Sequence, residues 1–544
     1  MFTHGLRVAS GILPGWHTLQ EVGLRDGASV NALERIATIV SNDTAFAVIR
    51  GDGSVTTWGD EYSGGDSDAV QDQLIGVPGV HQISTSSCAF AAIRLDGTVV
   101  CWGSAAGGGD CHAVQGQLRQ VQSIVASAYA FAALLSNGQV VTWGSPSSGG
   151  DCSAVKARLT NVQHIRASRF AFAATRKDGT VITWGAPNFG GDSSSVQHKL
   201  RKVKSVQASH SAFAALRMDG RVICWGSEAR GGDEKVSRDL TNVQSIEAFP
   251  NAFMAIREDG TAVTWGSYCA GGVTTLEIQK KLRHLKVVRH TQGALAALRS
   301  DGHVLTWGCP LSGGYSLTIQ PWLTNVKDIQ ASKGAFAAIR KDGQVVAWGK
   351  DSCGGNTSKV EVHLTAVQSI RASAFAFAAI KATDAVTDEG SNVVTWGSAE
   401  AGGDSSKVQE QLKNVRQIHS THFAFAALRA DGRVITWGSK DAGGDSSAVE
   451  DELRNIRMYH NQLRFSTARW GITQLTPMSA LSDHESSVHM SSVCTKRSKR
   501  KRSPSVEDEK EERMERKKDL CQMHTCHSLS FYGDILLHIY YIHI

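Results

Sequence analysis

The dipeptide Trp-Gly recurs at a nearly constant interval, and this confines the chain to a repeat architecture. The ten tryptophans are Trp58, Trp102, Trp143, Trp184, Trp225, Trp265, Trp307, Trp348, Trp396 and Trp437, with successive spacings of 44, 41, 41, 41, 40, 42, 41, 48 and 41 residues. A period near 40 means that one supersecondary unit buries its apolar face on its neighbours, in a solenoid, propeller or array. A degraded eleventh copy is expected to end at Trp470-Gly471. The tryptophans, each between a strand and a turning glycine, are read as structural anchors of the repeat rather than as ligands.

One copy, Asn414 to Leu453, shows what a unit contains. Val415 and Ile418 begin a short β-compatible run, and Phe423 to Leu428 form an uncharged run of small and large apolar residues suited to a strand buried on both faces. Asp431-Gly432 between two apolar runs is a strong hairpin signal. Val434 to Trp437 is β-branched and aromatic, as strands prefer. Gly443-Gly444 allows positive φ or close backbone approach. Asp445 is a candidate cap, and Val449 and Leu453 share one face of a short helix or of a fourth strand. Ala-Phe-Ala-Ala motifs such as Ala130–Ala133 and Ala171–Ala174 suit sheets that taper toward an axis.

These units resemble the regulator of chromosome condensation repeat, through Phe-Ala-Ala-Leu-Arg, Asp431-Gly432, Trp437-Gly438 and Gly443-Gly444. Large HECT-type ubiquitin ligases and a secreted β-lactamase inhibitor are similar in the same way. The resemblance covers residues 34–471 and implies an all-β fold, a seven-bladed β-propeller. The departures are short units of about 41 residues and Gly-Gly-Asp in place of the family's Gly-Gln-Leu-Gly loop. Ten copies also exceed the usual four to eight blades. The expectation is therefore a seven-bladed ring with extra repeats, or an open spiral. Copies five to eight are the least regular, with Gly-Gly-Asp giving way to Gly271-Gly272-Val273, Gly313-Gly314-Tyr315 and Gly354-Gly355-Asn356. The ninth has its Asp-Gly turn replaced by Thr383 to Asn392.

Residues 1–33 form a separate segment in which Thr18-Leu19, Leu24, Asp26-Gly27 and Val30 resemble the second half of a ubiquitin-like domain. An amphipathic lead-in strand explains them equally well, and about 33 residues form no independent core. Residues 472–544 are expected to be a disordered tail of basic and mixed charge. Within it Lys496, Arg497, Lys499, Arg500, Lys501 and Arg502 place six positive charges in seven residues, a candidate nuclear-localisation run.

The net charge of +6 is small for 544 residues, so only the tail carries a nucleic-acid type of charge density. Eleven cysteines are odd in number and show no paired spacing, and the first fifteen residues lack a signal-peptide pattern. An intracellular setting, cytoplasmic or nuclear, is the expectation. No apolar run reaches membrane-spanning length. Histidines such as His4, His112, His164 and His290 sit in unrelated repeat positions, and no nucleophile, phosphate loop, metal or cofactor motif stands out. The seven Gly-Gly-Asp carboxylates are read as caps. The chain is expected to be a non-catalytic protein-interaction scaffold. The resemblance adds two alternatives, a guanine-nucleotide exchange factor for a small GTPase and an adaptor or fragment of a HECT-type ligase. A complete HECT domain does not fit in the 74 residues after Trp470.

Overall fold

The computed structural model describes residues 37–456, apart from 77, 383–391 and 455, together with the backbone of three short strands nearer the amino terminus. Those strands, Leu6–Val8, Gly11–Leu13 and Asn31–Ala32, pair antiparallel with Leu6–Val8 in the middle. The ubiquitin-like positions Thr18 to Val30, the copy ending at Trp470 and the basic run Lys496 to Arg502 lie outside the described residues.

Each Trp-Gly copy makes one three-stranded antiparallel sheet, and these ten sheets are numbered here as blades 1 to 10. Every blade is a meander. In blade 3 the inner strand is Val121–Ala126, the middle strand Ala130–Leu135 and the outer strand Val140–Gly144. Inner strands of neighbouring blades touch side by side: Ser84 Oγ donates to the Ile124 carbonyl at 3.0 Å, and Ser420 Oγ to the Ala372 carbonyl at 2.8 Å. The Asp-Gly turns join middle to outer strands. In blade 4 the Asp178 carboxylate accepts from the backbone N–H of Thr180 at 2.9 Å and from its hydroxyl at 2.6 Å, while Gly179 turns through φ +75°.

The alanine-phenylalanine alternation builds the seam between blades. Alternate residues of a strand point to opposite faces, so Ala89, Ala91 and Ile93 of blade 2 face Phe131, Ala133 and Leu135 of blade 3. A small face thus meets a bulky one. Phe131 lies directly opposite Trp143 across the strand pair, with stacked rings 5.3 Å apart. The Gly-Gly of blade 2 completes the seam, where Trp143 Nε1 donates to the Gly108 carbonyl at 3.0 Å. A Cβ on Gly108 would lie 2.6 Å from the Phe131 ring, and one on Gly109 would lie 2.3 Å from the Gly103 carbonyl oxygen. Neither position has room for a side chain.

The same seam joins the last blade to the first. Trp58 Nε1 donates to the Gly443 carbonyl at 3.2 Å, and Phe46, Val48 and Trp58 share a core with Ala424, Ala426 and Leu428. The His422 N–H donates to the Asp43 carbonyl at 2.9 Å, and Arg50 meets Glu452 at 3.1 Å. All ten copies therefore close into one propeller ring. Neither a seven-bladed ring with leftover copies nor an open spiral forms, because one alanine face on one Phe-Trp face makes a thin wedge. Ten such wedges turn through about 36° each.

Among the described residues, the segment after each Gly-Gly supplies no fourth strand. In most copies it is a 3-10 turn, such as Ser153–Arg158, and only Gln71–Leu74 and Leu276–Lys281 are α-helical among the described residues. So few residues separate the glycines from the next inner strand that a longer helix has no space to propagate.

Candidate functional site

The repeat anchors are consumed by the fold. All ten tryptophans are only 2–5% exposed, and each indole N–H donates to a glycine carbonyl of the preceding blade at 2.9–3.2 Å. The Gly-Gly-Asp carboxylates turn inward on their own backbone. Asp151 accepts from the Ser153 N–H at 2.8 Å and Asp404 from the Ser406 N–H at 2.9 Å, and these bonds hold both carboxyls below their ordinary pKa. No group of three or more histidines, cysteines and carboxylates that could hold a metal ion occurs among the described residues.

Two surfaces carry what the fold leaves over. The first is the axial mouth, a cavity of about 900 Å³ lined by the inner-to-middle turns of all ten blades. A backbone belt runs round it: Ser87 N–H to Ala128, Ala128 to Arg169, Arg169 to His210 and His210 to Pro250, each at 2.8–3.0 Å. Pro250 has no N–H to pass on, so the belt breaks there. A second arc runs from Gln292 through Lys333, Ala374 and His422 to Asp43.

Within each turn the middle position is structural, as where Ser127 Oγ donates to the Ser148 carbonyl at 2.9 Å and Ser332 Oγ to the Cys353 carbonyl at 2.8 Å. The position after it varies from blade to blade, and supplies Asp43, Arg169, His210, Lys333 and His422 to the mouth. Crowding by the channel wall pushes the His210 imidazole down to about 4, with Arg169, Arg230 and His290 adding repulsion, although its exposed edge lets water screen part of this. His422 lies 3.6 Å from Asp43, whose charge opposes the lowering of its pKa by burial. Arg169 and Lys333 stand over the rings of Phe170 and Phe375, 5.3 and 5.4 Å from the centroids. The mouth is polar and weighted toward positive charge.

The second is a set of exposed apolar residues in the segments that follow the outer strands of blades 6 and 7. Tyr268 is 76% exposed, Leu276 82%, Leu311 80% and Trp322 54%, and Val273, Tyr315 and Leu317 are exposed beside them in sequence. The repeat register makes these residues conspicuous. Val273 and Tyr315 stand where other blades have Asp66, Asp110 or Asp151, and Trp322 where they have Gln117, Arg158 or Lys199.

Parts of the chain are similar to solved structures. The CRINKLY WD40 ectodomain of the Arabidopsis thaliana receptor kinase ACR4 matches at 14% identity and TM-score 0.28, over 51% of this chain and 97% of that one. Prp20p from Saccharomyces cerevisiae matches at 15% identity and TM-score 0.29, over 59% of this chain and 73% of that one. Human WBSCR16 matches at 14% identity and TM-score 0.26, over 60% and 80%. Prp20p, also described as yeast RCC1, belongs to the group that the repeat resembles. No family model and no curated protein matches the chain. The propeller assignment rests on the ring's own closure.

His290 stands at the first position of its turn and His210 and His422 at the third, and the ring brings all three to one mouth. The usable signal was the period: Ala128, Arg169 and His210 follow one another at 41 residues, and Gln292 lies two periods beyond His210. The basic run of the tail, the remaining candidate, falls outside the described residues.

Proposed function

We propose that the chain is a non-catalytic interaction scaffold, and that a protein partner docks through an apolar surface of its own on the segments that follow the outer strands of blades 6 and 7. The observation that supports this is the exposed apolar set Tyr268, Leu276, Leu311 and Trp322, next to Val273 and Tyr315 where sibling blades carry aspartate. Each of these side chains leaves half or more of its surface to solvent. Replacing the aspartate even gives up the bond that it makes to the following turn in other blades, such as Asp192 to the Ser194 N–H at 2.8 Å. Exposed aromatic and aliphatic side chains on neighbouring blades are the kind of group that a partner's core contacts use.

The test is affinity capture with the full chain and with a Leu276→Asp/Trp322→Asp variant, beside a Gln117→Asp control on blade 2. A partner bound through these segments is retained by the control and falls at least about tenfold with the variant, as loss of two central apolar contacts implies. Equal recovery of every captured protein by all three forms would defeat the reading. Recovery of a small GTPase or of ubiquitin-transfer enzymes would select between the exchange-factor and ligase-adaptor versions of it. A GTPase must then also release its nucleotide faster in the presence of the chain.

A further inference from the structure

Inside most blades, a residue of the outer strand meets a residue ten places later, just past the Gly-Gly loop. In five blades both are hydroxyl residues and share a hydrogen bond: Thr57 with Ser67 at 2.9 Å, Thr183 with Ser193 at 2.9 Å, Thr306 with Ser316 at 2.7 Å, Thr395 with Ser405 at 3.0 Å and Thr436 with Ser446 at 2.9 Å. In blade 2 the two positions are Cys101 and Cys111. Both thiols are free, buried to 7% and 5% exposure, and part of the core against Trp143 of blade 3. Gln115 fixes the second thiol, accepting from Cys111 Sγ at 3.3 Å while its own amide donates to the Val99 carbonyl at 2.9 Å.

We propose that Cys101 and Cys111 are a redox-active pair that closes into a disulfide, a covalent lock on the loop that holds blade 3 to blade 2. The ten-residue interval, unremarkable in sequence, becomes a pair because the repeat register sets those positions face to face. The chemistry is asymmetric in a useful way. Hydrogen bonding from Cys101 draws the Cys111 thiol below its ordinary value, whereas burial first, and then Cys111, pushes Cys101 well above its own. Cys111 also lies in the loop, at the start of the turn His112–Gln117, whereas Cys101 is held within the strand Val99–Gly103, and this makes Cys111 the attacking sulfur. With a peroxide as oxidant, the Cys111 thiolate forms an S–O bond as the O–O bond breaks. This gives a sulfenic acid and hydroxide, which takes up the proton that Cys111 lost. The Cys101 sulfur then bonds to Cys111, and the displaced hydroxide leaves as water with the Cys101 proton. Two thiols are oxidised by two electrons in all, and one peroxide is reduced to two waters. The new bond brackets Gly108, whose carbonyl accepts Trp143 Nε1 at 3.0 Å, so oxidation tightens this one seam of the ring.

The experiment treats the reduced full chain with hydrogen peroxide and maps its peptides without reduction, next to a Cys101→Thr/Cys111→Ser variant. That variant restores the hydroxyl pair which five sibling blades already use, so it folds as the reduced protein does. The expected result is a Cys101–Cys111 linked peptide and a melting midpoint raised by about 2–5 °C, reversed by dithiothreitol and absent in the variant. Sulfinic acid on Cys111 with Cys101 still reduced would overturn the proposal. So would a disulfide from either residue to another cysteine, or oxidation confined to the exposed Cys269.

Discussion

Ahead of each inner strand from blade 3 onward the backbone passes through one residue in the left-handed region, and the side chain at that point sets a local cost. Eight non-glycine residues have φ of 52–55°: Gln120, Asn161, Lys202, Asn242, His284, Asn325, Ala366 and Asn414. Four are asparagine, which tolerates this region because its short polar side chain bonds locally. Ala366 has no such relief, and the preceding turn runs so close to it that a Cβ on Gly343 would lie 2.8 Å from its Cα. Ala366→Asn places an exposed side chain on an unchanged backbone. It should raise stability to chemical denaturation by about 0.5–1 kcal/mol, whereas Ala366→Val should lower it by more than about 1 kcal/mol. A fall in the denaturation midpoint with asparagine would refute the left-handed assignment. Residues of this kind were only partly legible in the sequence. Asparagine at four of these positions hints at a turn, but Lys202 and Ala366 hold the same conformation with nothing in their chemistry to announce it.

At the scale of the blade, the elements that a local rule governs were legible and those set by a neighbouring blade were not. The middle strand, the Asp-Gly turn and the Trp-Gly outer strand follow from hydrophobic pattern and turn chemistry within a few residues. The Gly-Gly loop was readable only as a place that wants glycine. Its reason is the Phe-Trp pair of the next blade, as where Phe131 and Trp143 lie 23 and 35 residues after Gly108 and the indole N–H needs the glycine carbonyl. The segment after the loop could be read as helix or strand because Val449 and Leu453 share a face of either. Trp184 tests the seam directly, since its Nε1 donates to Gly149 at 3.0 Å in a buried contact. Trp184→Phe keeps a ring beside Phe172 but leaves that carbonyl unpaired and a cavity behind. The expected loss is about 2–4 kcal/mol by denaturant unfolding. A loss below about 1 kcal/mol would mean that the indole bond does not hold the blades.

For the whole molecule the governing quantity is an angle, and no single residue encodes it. Each seam contributes the same small rotation, so a change of a few degrees per blade, summed over the chain, separates a ring of ten from an overlapping spiral. The sequence supplied the number of copies and the composition of the seam, but not the angle. The axial mouth was hidden for the same reason, because Arg169, Lys333 and His422 become neighbours only once the ring has closed. Closure makes a prediction that an open array does not share. In a spiral the first blade would have nothing before it, and Trp58 would lack an acceptor. In the ring it donates to Gly443 at 3.2 Å, and Thr56 and Arg50 both reach Glu452. Trp58→Phe should therefore cost as much as Trp184→Phe, within about 0.5 kcal/mol, because the two seams are alike and far apart. A closed ring also has no free end from which to fray, whereas an open repeat array loses terminal units first. Exchange of the Trp58 indole hydrogen should accordingly be as slow as that of Trp184. If Trp58 exchanged rapidly, and its substitution were nearly neutral, the ring would be open in solution between blades 10 and 1.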